Sequence, residues 1–134
     1  MAGFSDYLEN KILNHINGVA AYTAPTHVYL ALSTTTPADD GTGVTEPTGG
    51  SYVRLECDNT TATWNTSVAG VFTNKVSLSW IQATGNWGTI VASAAYDDPS
   101  AGNMLWAGTP AQSRSISSGE TYIIGVSNLS VALD

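Results

Sequence analysis

Hydrophobic and polar positions change period once along this chain. Leu8, Ile12, Ile16 and Val19 recur at i, i+4, i+8 and i+11, one face of a 3.6-residue repeat. The spacing predicts an amphipathic helix over 4–19. Ser5 is placed to cap its N-terminus, and Asp6 and Glu9 sit in the first turns, where the helix dipole favours acids. Leu8 stands where a reciprocal capping box needs Glu or Gln. Asn17-Gly18 offers a left-handed stop.

After Pro25 the period falls to two, or to short apolar runs. Residues 27–33 (HVYLALS) read as a strand. In 51–57 (SYVRLEC), Tyr52, Arg54 and Glu56 alternate with Val53, Leu55 and Cys57. In 75–81 (KVSLSWI), Val76, Leu78 and Trp80 point one way, so Trp80 is expected inside. A longer strand over 87–96 meets a turn at 97–102 (DDPSAG) and returns over 103–107 as a hairpin. Short strands follow from 71–72, 112–116, 121–125 and 129–133, the last two parted around Ser127-Asn128. Residues 34–50 carry two prolines and four glycines and read as loop.

Seven to nine short strands after one helix predict a mainly β fold. The expected form is an antiparallel β-sandwich of jelly-roll type with an N-terminal amphipathic α-helix. A length of 134 residues suits one domain, a helical arm over 1–20 and a sandwich over 26–134. The absence of any 20–50-residue repeat argues against a solenoid or propeller.

Composition narrows the function classes. Only 11% of residues are charged, under half the ~25% of ordinary soluble domains. The wet faces must instead use 17 Thr, 14 Ser and 9 Asn, which suits strands and loops. The net charge is −7, and the four basic residues lie apart at 11, 54, 75 and 114. Nucleic acid is therefore not an expected partner. No run approaches the ~18 apolar residues of a membrane span. A single cysteine excludes an intramolecular disulfide and a multi-cysteine zinc site. With no basic n-region followed by an apolar run, synthesis in a cytoplasm is expected.

The residues able to carry chemistry each have a structural explanation. His15 and His27 fall on different elements, with no metal-binding spacing. Asp39-Asp40 and Asp97-Asp98 precede Gly or Pro, as turns require. Cys57 is in phase with Val53 and Leu55 and is expected to be buried and inert. No catalytic, cofactor or metal site is expected. Trp64, Trp80, Trp87 and Trp106 fit core or interface positions; a sugar-stacking surface is the other use of such rings.

Several segments together resemble a family of small virion proteins of tailed bacteriophages. They are 1–15 (MAGFSDYLENKILNH), 21–32 (AYTAPTHVYLAL) with 33–37 (STTTP), 49–54 (GGSYVR), 86–97 (NWGTIVASAAYD), 102–108 (GNMLWAG) and the close of 119–134 in LSVALD. The order is kept over almost the whole chain, and 60–75 departs from it. The resemblance implies a virion structural protein. With the acidity and the lack of a site, it leads to a capsid decoration or cement protein on the head exterior. That reading expects binding to the major capsid protein as a dimer or trimer, with Phe4, Tyr7, Leu8 and Ile12 in contact. The helix itself could pack on its own domain or on a neighbour. The alternative is a tail or fibre component that binds another tail protein, or a host glycan through Trp64 or Trp106. An enzyme is the least favoured class.

Overall fold

A computed structural model describes the chain from residue 2 to residue 133. The mainly β fold with one short N-terminal helix is borne out, and it is sandwich-like. The elements in chain order are β1 (Ala2–Phe4), α1 (Asp6–Ile16), β2 (His27–Ser33), β3 (Leu55–Asp58), β4 (Val71–Thr73), β5 (Leu78–Ser79), β6 (Gly88–Ile90), β7 (Ala92–Tyr96), β8 (Met104–Gly108), β9 (Arg114–Ile116), β10 (Ile123–Ile124) and β11 (Ser130–Ala132). Seven strands form one sheet in the order β3-β2-β7-β8-β1-β11-β4. Two further pairs, β5 with β10 and β6 with β9, make small sheets. Side chains from all three sheets share one core, among them Leu30, Leu32, Trp80, Ile90, Leu105 and Val131.

The helix differs from its expected span at the start. Residues 2–4 form β1, inserted between β8 and β11, so Phe4 is a strand residue paired with Trp106. Ser5 then turns the chain and caps α1. Its Oγ accepts from Leu8 N at 3.3 Å and donates to the Met104 carbonyl, while Ser5 N donates to the Leu105 carbonyl. These bonds anchor the helix start on β8. Asn17 closes the helix and Gly18 takes φ +76°, as the sequence indicated. Of the four periodic positions, Leu8 is buried and Ile12 half-buried, while Ile16 and Val19 are exposed. The helix lies on its sheet with its first two turns only. The first residues are therefore part of the main sheet, not a separate arm.

One pairing departs from the antiparallel expectation: β1 runs parallel to β11. The expected strand over 87–96 is two strands. Val91 N donates to the Ser33 carbonyl at the break, and the chain passes there from the β6–β9 pair to the main sheet. Strands that change sheets in this way make the corners of sandwiches. The alternation over 51–57 forms a strand only from Leu55, with Val53 exposed. Val76 is exposed too, although Leu78 and Trp80 are buried as expected.

The middle of the main sheet is covered on both faces. Opposite the main core, Ala31, Ala94, Tyr96 and Met104 form a second cluster beneath Val44 of the 34–50 loop. Small residues there let the loop approach closely. Thr34 N donates to the Thr45 carbonyl, and Thr45 N donates to Ser33 Oγ at 3.0 Å.

Candidate functional site

Each group singled out for chemistry has structural work within the fold. Asp40 Oδ1 accepts from Thr42 N and Thr42 Oγ1 at 2.9 and 2.7 Å. Asp98 Oδ1 accepts from Ser100 N and Ala101 N, and Asp97 Oδ1 from Asn103 N. Hydrogen bonds from Thr42 hold the Asp40 carboxyl below its usual range, and backbone bonds from Ser100 and Ala101 do the same for Asp98. Asp40, Asp97 and Asp98 are loop fasteners, and Asp39 contributes its carbonyl, which accepts from Asp6 N. The bonds to Asp40 and Asp98 favour the ionised carboxylate, the reverse of what a general acid needs.

The histidines lie apart in the same sense. His15 Nδ1 accepts from Tyr22 N at 3.1 Å and ties the chain leaving α1 back to the helix. His27 starts β2, its Nε2 3.2 Å from Asp58 Oδ1 on the neighbouring β3. Cys57 is buried, and its thiol is pushed up to about 12 by burial, with Asp58 and Glu56 adding to the rise. A thiol so disfavoured as thiolate is no nucleophile. Among the described residues, no group of three or more His, Cys, Asp or Glu is placed to hold a metal ion. No described helix is long and apolar enough to cross a membrane.

All four tryptophans are buried. Trp64, Phe72 and Trp106 meet edge to face in a triangle, with centroids 5.4–6.0 Å apart. Trp80 packs edge-on against Tyr122, and Trp87 against Tyr52. The core reading of these rings holds. The glycan platform on Trp64 or Trp106 does not: the rings are 8% and 7% exposed, and stacking on sugar needs an open face.

The four expected contact residues stay close together around the β1–α1 corner. Leu8 is only 6% exposed and belongs to the chain's own core. Phe4, Tyr7 and Ile12 are half-buried against that core, and Lys11 Nζ lies 5.4 Å from the centre of the Tyr7 ring. The open apolar surface of the helix lies elsewhere, at Leu13 and Ile16, and continues to Val19. Periodicity grouped Ile16 and Val19 with Leu8 and Ile12 on one face, but it cannot show where the sheet beneath a helix ends.

One cluster that sequence reasoning missed is a polar hub under the 34–50 loop. Arg54 donates from Nε and Nη2 to Glu46 Oε1 at 3.0 and 2.6 Å, and from Nη1 to the Asp98 and Ala101 carbonyls at 2.8 Å. Its guanidinium lies 3.8 Å from the centre of the Tyr96 ring. Tyr52 donates to Glu46 Oε2 and accepts from Leu32 N. Burial is the main reason that the Tyr52 hydroxyl is held far above the usual tyrosine range. The hub joins two loops to the sheet and has the character of a clamp, with its acid and base neutralising each other. A lone Arg in an apolar run was the only signal for it.

What remains is a domain whose candidate groups are taken up by its own loops and core. A family model described as podophage GP4 fiber I protein gp80 matches residues 3–132. The chain belongs to that family. No curated protein matches it. Membership makes this gp80-family protein a structural protein of a phage virion, as the resemblance implied. The match runs from within β1 to the end of β11.

Proposed function

We propose that this chain is a non-enzymatic subunit of the phage's fibre apparatus, holding its place by surface contact with copies of itself or with another tail protein. The observation that carries this reading is the end-to-end match to a family described as a fibre protein. The fold supports it. The acids, histidines, thiol and tryptophans considered above are engaged in turns, ties and core, which leaves surface contact as the means of action. A subunit that binds only the assembled particle stabilises it by RT ln(1 + [L]/Kd), about 2.7 kcal/mol at a hundredfold excess over Kd. Closed symmetry of a small homo-oligomer would multiply that effect.

Capsid decoration rests on acidity and compactness, which suit a fibre subunit equally. Copy number separates the two. Quantitative mass spectrometry of purified virions against the major capsid protein should find this chain far below the shell subunit, and enriched with tails after heads are dissociated. Copies in fixed stoichiometric ratio to the shell, remaining on tailless heads, would overturn the fibre reading in favour of decoration.

A further inference from the structure

Two strands leave an edge open onto one groove. β3 is the outermost strand of the main sheet, and β5 pairs with β10 alone. A groove of about 360 Å3 runs between them, lined by Leu55–Asp58, by Thr63 and by residues 76–79. The backbone direction on each strand follows from its pairing. Asn59 N donates to the Thr26 carbonyl, so His27 and Asp58 are a non-hydrogen-bonded antiparallel pair. The amides of Glu56 and Asp58 then turn away from β2. Trp80 N donates to the Tyr122 carbonyl, so by the same rule the Ser79 amide and carbonyl turn away from β10. The Glu56 and Asp58 side chains rise from the β3 edge and are well exposed.

We propose that this groove receives an extended, basic segment of a partner protein, which adds as a strand to the β3 edge. Main-chain hydrogen bonds to the Glu56 and Ser79 edges would supply affinity, as in other strand additions. The choice of a basic occupant follows from charge. Glu56 and Asp58 stand on the rim, and a chain of net charge −7 with four basic residues is a poor source of its own ligand. Charged rims also keep sheet edges apart. A rim of one sign repels another acidic edge and admits a basic strand. On the rim itself His27 Nε2 lies 3.2 Å from Asp58 Oδ1 and 3.9 Å from Glu56 Oε1, while Lys75 Nζ is turned to the Thr61 carbonyl at 3.1 Å.

The probe is a seven-residue peptide of alternating Lys and Val, capped at both ends, with the intact protein. A second peptide of equal charge carries proline at alternate positions and cannot form a ladder. Amide exchange is followed by NMR. The alternating peptide should slow exchange at Glu56, Asp58 and Ser79 by about tenfold or more, and the proline peptide should not. Glu56→Lys with Asp58→Lys, both on exposed side chains, should weaken binding by about tenfold or more while leaving the fold intact. Equal binding of both peptides, protection elsewhere, or no saturable binding by about 1 mM would overturn the proposal. Slowing of the same amides by protein concentration alone would give the groove to a second copy and overturn the basic partner.

Discussion

Asn74 and Leu129 exchange two hydrogen bonds across 55 positions of sequence. Leu129 N donates to Asn74 Oδ1 at 2.9 Å, and Asn74 N donates to the Leu129 carbonyl at 3.2 Å. Asn74 Nδ2 donates to the Val76 and Gly125 carbonyls, and the Asn74 carbonyl accepts from Ser127 N. The side chain is wholly buried with its donors and acceptor all used. It replaces a missing ladder where β4 ends and the β10–β11 connection begins. Asn74→Ala strands the buried Leu129 amide and the part-buried Val76 and Gly125 carbonyls, and a group left unpaired away from water costs about 1–3 kcal/mol. We expect a loss of about 3 kcal/mol or more in urea unfolding, and Asn74→Asp should lose nearly as much because it cannot donate twice.

The Arg54 clamp makes a second prediction. Its side chain is 7% exposed and that of Glu46 is 25% exposed, so removing either partner leaves a charge with little water. Arg54→Ala should cost about 3–5 kcal/mol in equilibrium unfolding. Arg54→Lys should recover only part of it, because an ammonium cannot make the forked bond to Glu46 and reach two carbonyls as well. Full stability in Arg54→Ala would show that the loop over the sheet needs no clamp.

Alkaline pH should unfold the protein before acid does. Cys57 and Tyr52 both have raised folded values, chiefly through burial. The folded state keeps protons that the unfolded chain sheds, so their contribution is whole below about pH 9. For the thiol it is lost as pH rises from 9 towards about 12. Tyr52 adds to the fall from pH 10 upward. Asp40 and Asp98 have lowered values and act in the opposite sense, losing their contribution as pH falls below the ordinary carboxylate range. Their exposure keeps that effect small. Melting temperature against pH should therefore bend down above pH 9, and Cys57→Ala should soften the first part of the bend.

Gly108 marks a close approach of two strands. A Cβ built there would come within 2.6 Å of Ala2 Cα, so β8 can lie beside β1 only with glycine at this position. Gly108→Val should cost about 1–3 kcal/mol by overpacking, and faster amide exchange at Gly3 should report the loosening of β1 from β8. Unchanged exchange at Gly3 would mean that the main sheet absorbs the methyl groups elsewhere.

Some of this was legible from residue spacing. The Ser5 cap, the Asn17-Gly18 stop, the 92–108 hairpin with its Asp97 and Asp98 turn, and the burial of Trp80 are all set by neighbours in sequence. Local signals failed where distant chain decided. Ala2–Phe4 carries no strand pattern of its own; it is a strand because β8 and β11 offer it edges. Tyr52 and Arg54 sat in a clean alternation, yet Glu46 and the 97–102 turn draw them out of any ladder. Trp64 and Trp106 could not be told from a surface platform until Phe72 was seen to close the triangle. Leu8 was legible as apolar, but not as apolar towards its own β8 instead of a partner.

The parallel contact between β1 and β11 fixes the order of events in folding. Ala2 pairs with Val131, so residues 3–130 must be looped before β11 and β4 can join the main sheet through β1. Closing a loop of that length is entropically costly, and non-local pairings of this kind slow folding. Until residues 130–132 are made and free to pair, the eleventh strand is missing from the sheet. β1 and the helix start that follows it would have β8 for support but no neighbour on the other side. Completion of the main sheet is thereby tied to the arrival of residues 130–132, and any face that depends on a finished sheet waits for them.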